Sequence, residues 1–171
     1  VHEKEHPKEQ LAHYSKRTVD LVYEFPFGTS ELYGLAYRTD FDLSRHAEFS
    51  KETLDYTDPQ TGEKFIPHVV EPTFGVERTL LALLCDAYEE ELLENGETRT
   101  VLHLSPKIAP VKVAIFPLMK KEPLVNQAIA IFNELQALFS CEYDESGAIG
   151  KRYRRQDELG TPFCITVDFD T

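Results

Sequence analysis

The hydrophobic and polar positions in the first forty residues alternate with the period of β-strands. Val19, Leu21 and Tyr23 recur at every second position, so we predict a strand over Val19–Phe25 that follows a short helix in PKEQLAHYSK. The segment PFGTS has turn composition, and ELYGLAYRTD alternates again, like a strand packed on both faces. The pattern therefore predicts two strands joined by a turn.

Helical spacing appears next, interrupted by one loop and one strand. TDFDLSRHAEFS predicts a helix with Thr39 or Asp40 as its N-cap, DYTDPQTGEKF a polar loop, and FIPHVVEP a strand. Pro67 favours an edge position or a strand start for that strand. From Gly75 an apolar helix is predicted through Tyr88 to EEELLENGE, where an Asn-Gly pair supplies a left-handed C-terminal signal.

The remainder of the chain alternates strands with helices. VKVAIFP, CEYDES and PFCITVDFD predict strands, while EPLVNQAIAIFNELQALF and GKRYRRQDELG predict amphipathic or surface helices. Strand, helix, strand, helix, strand within about seventy residues indicates a small sheet covered by helices. The fold class predicted for the chain is therefore α/β.

Charge is distributed unevenly along the sequence. Residues 1–99 contain 10 basic and 21 acidic side chains, and residues 100–171 contain 8 and 9, within a net charge of −12. This asymmetry predicts two domains, 1–99 and 100–171. The overall acidity argues against a polyanion partner, except at one basic cluster in the second domain.

Cysteine usage and hydropathy restrict the setting of the protein. The three cysteines are widely spaced without a CxxC pair, so they predict neither a disulfide framework nor a zinc site, and they favour a reducing, cytoplasmic compartment. The sequence lacks an apolar run near the roughly 20 residues of a membrane span, and its first residues lack a signal-peptide core. We expect both ends to be truncations of a longer protein.

The segment HVVEPTFGVERTLLALL places charges where a strand passes into an apolar helix. Backbone N–H groups at a helix start after a Gly turn can bind an anion, and Arg78 could add a charge-assisted bond to a phosphate or stack on a planar ring. Glu71 suits an ammonium group, and Thr73 could donate a hydroxyl. The alternative is a surface ion pair, Glu71–Arg78 or Glu77–Arg78.

Glu31 is a second candidate because it begins an apolar strand. It predicts either an ordinary edge carboxylate or a group that points at a cation or a metal-bound phosphate. The sequence pattern alone leaves both readings open.

Long strings of this sequence resemble one enzyme family. HYSKRTVDLVYEFPFGTSELYGLAYRTDFDLSRHAEFS and PHVVEPTFGVERTLLALL resemble the glycyl-tRNA synthetases of the dimeric α2 type, the second string being their version of class II motif 3. SPKIAPVKVAIFPL and YDESGAIGKRYRRQDELGTPFCITVDFDT resemble their C-terminal anticodon-binding domain. The resemblance implies part of an antiparallel catalytic sheet with its motif 3 helix in 1–99, then a truncated anticodon-binding domain with a mixed sheet flanked by helices.

The resemblance also implies roles for individual residues. It assigns ATP binding to Glu31, Leu32, Gly75, Val76, Glu77 and Arg78. It assigns glycine binding to Glu71, Pro72, Thr73, Phe74 and Gly75. By analogy Glu71 meets the α-ammonium, and Arg78 covers adenine and reaches the γ-phosphate. Bulk from Tyr33 or Phe74 is expected to exclude amino acids larger than glycine.

The basic cluster KRYRR is the candidate for tRNA contact in the second domain. Its tRNA-binding candidates are Lys151, Arg152, Arg154 and Arg155. Cations interleaved with a tyrosine suit phosphate contact and base stacking. The alternative is a solvated helix face paired with Asp157 and Glu158.

The resemblance implies a glycine–tRNA ligase that activates glycine with ATP and Mg²⁺ and transfers it to tRNA(Gly), working as a cytoplasmic homodimer. A resident metal is left unknown, and no zinc is expected. Motifs 1 and 2 of class II enzymes are not found in this sequence, so the 171-residue piece alone is expected to be inactive. The alternatives are an accessory protein that kept the fold without ligase activity, and a plain nucleotide- or amino-acid-binding module.

Overall fold

The computed structural model describes residues 1–171 as two compact units, Val1–Ala82 and Leu83–Thr171. The strands of the first unit are β1 (His2–Glu5), β2 (Arg17–Phe25), β3 (Gly28–Thr39), β4 (Tyr56–Thr57), β5 (Lys64–Phe65) and β6 (Val69–Phe74). Its helices are a 3-10 turn at Lys8–Gln10, α1 (Phe41–Ser50) and the start of α2 (Val76–Ala87).

Four strands of the first unit form an antiparallel sheet in the order β1-β2-β3-β6. The predicted antiparallel sheet and the edge position of the VVEP strand are confirmed. Pro72 lies within that edge strand, where its missing N–H group interrupts no further pairing. Three short strands of this unit were not predicted: β1, which is wholly polar, and β4 and β5, which pair inside the expected loop.

Register decides which side chains share a face of this sheet. Tyr33 pairs with Phe74 and Leu35 with Pro72 on one face, which carries mainly apolar side chains. Thr73 and Glu71 pair with Gly34 and Ala36 on the opposite face. We call this second face the polar face.

A β-bulge in β3 brings Glu31 to the polar face. The register shifts between Leu21 and Val22, so that Val22 pairs with Glu31 and the intervening Leu32 is left over. Val22 is two positions from Asp20, the partner of Gly34, so Glu31 and Gly34 lie on the same side.

The long apolar helix is shorter than predicted. Helix α2 ends at Ala87, and the chain continues directly into the hairpin of β7 (Tyr88–Leu92) and β8 (Thr98–Leu102). Gly96 has φ 81°, so the Asn-Gly pair forms the hairpin turn rather than the helix C-cap. The prediction of a helix through Tyr88 towards Leu93 is therefore wrong. The Asn-Gly pair, which predicts a helix end, lies in the turn between β7 and β8.

The second unit contains β9 (Val113–Pro117), α3 (Glu122–Leu135), β10 (Cys141–Tyr143), α4 (Ile149–Leu159) and β11 (Phe163–Val167), all of which were predicted. The strands form a sheet in the order β10-β9-β11 around a core cluster that includes Ile115, Leu124 and Val167. The α/β class is confirmed; this sheet is parallel throughout rather than mixed. The predicted domain boundary at residue 99 falls inside the β7–β8 hairpin, which belongs to the second compact unit.

Candidate functional site

Glu71 on β6 is held by an arginine from the neighbouring strand. Arg38 Nη1 donates to Glu71 Oε2 at 2.5 Å, while its Nε and Nη2 bind the two carboxylate oxygens of Asp42 at 2.6 and 2.8 Å. The guanidinium also lies over the Tyr14 ring, with its carbon 3.8 Å from the ring centroid. Arg38 is therefore fixed on three sides, and it presents Glu71 in one orientation.

Electrostatic interactions keep Arg38 and Asp42 charged at neutral pH. The hydrogen bonds that Arg38 donates to Asp42 first, and then to Glu71, raise the pKa of Arg38 above its usual range. The same hydrogen bonds from Arg38 lower the pKa of the Asp42 carboxyl. The interaction stabilises the fold above the ordinary pKa of an aspartate, and this contribution is lost as the pH falls through the depressed value.

Arg78, in the first turn of α2, reaches back to the bulged part of β3. Its Nη1 donates to the Glu31 backbone carbonyl at 3.0 Å and lies 3.1 Å from Glu31 Oε2. Only this one nitrogen is engaged, and the side chain is half exposed. Neither sequence alternative is present, since Glu71 and Arg78 have different partners and Glu77 forms no ion pair.

The polar face therefore combines two arginine–glutamate pairs with a floor of small side chains. Gly34 and Ala36, the partners of Thr73 and Glu71, provide that floor. A Cβ on Gly34 would lie 3.4 Å from Glu31 Oε1, in van der Waals contact with the carboxylate. The face thus combines charges of both signs with small side chains between them.

Three residues predicted for the site lie elsewhere. Pro72 and Phe74 are on the opposite face from Glu71, as strand alternation requires. Tyr33 is there too, with its ring 4.8 Å from that of Phe74 and its hydroxyl 2.9 Å from Thr79 Oγ1. The expected wall from Tyr33 or Phe74 beside Glu71 is therefore wrong.

The opposite face carries an apolar cavity of its own. It has a volume of about 370 Å³ and is lined by Tyr33, Leu35, Pro72 and Phe74 among others. Of the remaining ATP candidates, Leu32 is buried, so its side chain is not presented to a ligand, whereas Val76 and Glu77 are exposed at the start of α2.

The basic cluster on α4 divides into structural and exposed members. Arg152 is 3% exposed, and its guanidinium donates to the backbone carbonyls of Pro117, Gly147 and Ser146. These bonds satisfy backbone carbonyl groups at the end of β9 and in the loop before α4. The prediction of Arg152 as a tRNA contact is wrong in this structure, because the side chain is enclosed.

Arg155 also has a partner within the unit. Its Nε donates to Asp144 Oδ2 at 3.1 Å, and its Nη2 contacts the same oxygen and the Ser146 carbonyl. Burial opposes ionisation of Asp144, but the bonds from Arg155 and Ser146 outweigh it and lower the pKa of this carboxyl. Lys151 and Arg154 are exposed without ion pairs, so they remain candidates for surface contact.

Sequence reasoning missed Arg38 as a site residue. The signal was present in RTDFD, because an arginine four residues before an aspartate at a helix start is a common ion-pair spacing. The contact between Arg38 and Glu71 depends instead on the pairing of β3 with β6, which the sequence does not display.

Comparison with known proteins links this geometry to a family. Residues 112–171 match a family described as an anticodon binding domain. The chain is 60% identical over 168 residues to the glycine–tRNA ligase of Caldanaerobacter subterraneus subsp. tengcongensis, and 56% identical over 168 residues to that of Acetivibrio thermocellus. The corresponding protein of Clostridium acetobutylicum is 54% identical over 168 residues.

Coverage is unequal in these alignments. Each includes 98% of this chain but 36% of the relative, so the chain spans about a third of the length of these proteins. None of the helices is both long and apolar enough to cross a membrane. The near-complete alignment at 54 to 60% identity makes this chain similar to one part of the glycine–tRNA ligases.

Proposed function

We propose that this chain is the C-terminal part of a glycine–tRNA ligase, in which the polar face of the first unit holds glycyl-adenylate. The observation that supports this most strongly is the pair of arginine–glutamate contacts, Arg38–Glu71 and Arg78–Glu31, on one side of one sheet. The names of the relatives support the charging of tRNA with glycine, and activation of glycine by ATP is our proposal.

Glu71 is proposed to bind the ammonium group of glycine. Arg38 bonds only Oε2 of this carboxylate, which leaves Oε1 free for an ammonium donor. The nearby guanidinium and carboxylate together complement a zwitterion, and Thr73 can add a hydroxyl from the same face. The small residues Gly34 and Ala36 leave the floor open between these groups.

Arg78 is proposed to bind the adenylate end. Because Glu31 engages only Nη1, the rest of the guanidinium is free to stack on adenine or to bond a phosphate. Mg²⁺ prefers oxygen ligands, and Glu31 Oε1 together with Asp20 Oδ1, which face Gly34, are suitable donors. The ion would supply charge neutralisation for the phosphates.

Activation of glycine requires its carboxylate to approach the α-phosphate. Two anions must therefore be held close together, and fixed positive groups offset their repulsion. Arg78 can supply part of that charge, while Glu71 and Arg38 orient the amino end. We expect the 171-residue chain alone not to catalyse this step, because motifs 1 and 2 are not found in it.

The second unit is proposed to contact tRNA(Gly) through its anticodon-binding domain. Lys151 and Arg154 are the exposed cations of α4 without internal partners. A cytoplasmic location, consistent with three free cysteines, and a dimeric full-length enzyme remain part of this proposal.

The test is steady-state ATP–pyrophosphate exchange by the full-length protein that contains this sequence. We expect Glu71→Gln to raise the KM for glycine at least tenfold with little change in the KM for ATP, because it removes the ammonium partner. Arg78→Ala should act mainly on ATP. Glu63→Gln, an exposed change in the β4–β5 loop, is the control.

An accessory protein without ligase activity would show no glycine-dependent exchange in the unsubstituted full-length form. Equal changes in both KM values for both variants would instead argue against the assignment of opposite ends of the adenylate to Glu71 and Arg78.

A further inference from the structure

A second group of charged side chains lies on one face of the β7–β8 hairpin, within the second unit. Glu89 and Glu91 are two positions apart on β7 and therefore project to the same side. Glu91 pairs directly with Arg99 on β8, and His103 follows the end of β8. No residue of this group takes part in the proposed glycine or ATP site.

The three potential metal ligands converge on a small volume. His103 Nε2 lies 3.0 Å from Glu89 Oε2 and 3.6 Å from Glu91 Oε1. One ligand atom from each of the three residues fits within 4.8 Å of the others. Donor atoms around a tetrahedral zinc ion with bonds of about 2.0–2.1 Å are separated by about 3.4 Å, so small rotations of exposed side chains suffice.

A supporting layer already orients one ligand. Arg99 Nε donates to Glu91 Oε2 at 2.7 Å, and Arg99 Nη1 donates to Asp157 Oδ2 on α4 at 3.1 Å. Arg99 thus occupies one oxygen of Glu91 and turns the other towards His103. Such outer contacts are typical of metal ligands, whose orientation they fix.

Space for further ligands lies beside the group. A cavity of about 320 Å³ is lined by Glu91, His103, Asp157 and Thr161 among other residues. It can admit water or another small donor to the coordination positions that three protein ligands leave open. Two carboxylates also balance the charge of a divalent ion when the imidazole is neutral.

We propose that Glu89, Glu91 and His103 form a binding site for Zn²⁺ in the second unit. An imidazole with two carboxylates is a donor set that zinc accepts, whereas Mg²⁺ prefers an all-oxygen set. The expectation of no zinc rested on cysteine spacing, which does not register ligands brought together by a hairpin. This proposal is independent of the proposed ligase function.

A protonated His103 between two carboxylates would give the same distances without any metal, so the experiment must distinguish an ion pair from a site. The untagged 171-residue chain is stripped with a chelator and titrated with Zn²⁺ against a chromophoric competitor. We expect one equivalent to bind, and His103→Ala and Glu89→Gln each to weaken binding at least tenfold. His46→Ala, which removes an exposed histidine of α1, should leave it unchanged.

The ligand atoms provide a second readout. X-ray absorption at the zinc edge should show only nitrogen and oxygen neighbours near 2.0–2.2 Å, whereas sulfur at about 2.3 Å would place the ion on one of the free cysteines. Zinc that binds His103→Ala as tightly as the unsubstituted chain overturns the proposal, as does a sulfur shell. Circular dichroism confirms that the variants, which alter exposed side chains, are folded.

Discussion

The two compact units differ in how completely they bury their apolar residues. In the second unit Ala114, Ile115 and Phe116 of the central strand are fully buried between helices. In the first unit α2 begins with Val76 at 77% exposure and Leu80 at 57%, and the apolar face of the sheet borders an open cavity. The second unit has a fully buried central strand, although Leu138 and Phe169 are exposed at its surface, whereas the exposed residues of the first unit lie on its main helix and sheet, as surfaces that pack against more protein do.

This difference shows that an apolar pattern predicts an element but not what covers it. The helical spacing and the apolar character of α2 were predicted from the sequence. In the 171-residue chain much of its apolar surface is exposed instead. The chain spans 36% of the relatives it matches, which leaves ample further chain in those proteins for such packing.

The largest expected change in the free energy of unfolding comes from the buried core of the second unit. Phe116→Ala in β9 removes a fully buried ring, so we expect it to lower the free energy of unfolding of the second unit by about 3–5 kcal/mol. Urea denaturation, followed by a probe in the second unit, measures this. A loss below about 1 kcal/mol would mean that the packing described for β9 is absent in solution.

Leu80→Ala on α2 should have an effect that depends on the length of the protein. In the 171-residue chain we expect a change within about 0.5 kcal/mol, since the side chain is largely exposed. In the full-length protein we expect a loss of about 2–5 kcal/mol if further chain buries this leucine. Equal small effects in both proteins would show that the surface stays uncovered.

Two arginines on α4 provide a matched pair with a smaller expected difference. Arg152→Met leaves the carbonyls of Pro117, Gly147 and Ser146 without their donor, so it should lower the free energy of unfolding by about 1–3 kcal/mol. Arg154→Met, at an exposed position, should change it by less than about 0.5 kcal/mol. Similar values for both variants would contradict the division of the basic cluster into structural and exposed members.

The sequence was most informative where local pattern and fold agreed. All three strands and both helices from Val113 onward were predicted, because alternation and helical spacing there coincide with turn residues. The end of α2 was misplaced because an Asn-Gly pair terminates helices and hairpins alike. β1 was missed because HEKE has no apolar residue to reveal its pairing.

The sequence identified several residues of the candidate site but not the contacts between them. Glu71, Arg78 and Glu31 were singled out, but their partners depend on sheet register and on the bulge opposite Val22. Arg38 was missed for the same reason. Strand alternation also places Phe74 and Glu71 on opposite faces, although the two are close in sequence. The pattern of one sequence does not show which strand lies beside β6.

The central claim is that Glu71 and Arg78 hold opposite ends of one bound molecule. The most direct measurement is a crystal structure of the full-length protein with the sulfamoyl analogue of glycyl-adenylate. We expect the ligand ammonium within hydrogen-bonding distance of Glu71, and the Arg78 guanidinium against the adenine or the sulfamoyl group. A complex in which the ligand binds elsewhere, or leaves either side chain without a contact, would contradict it.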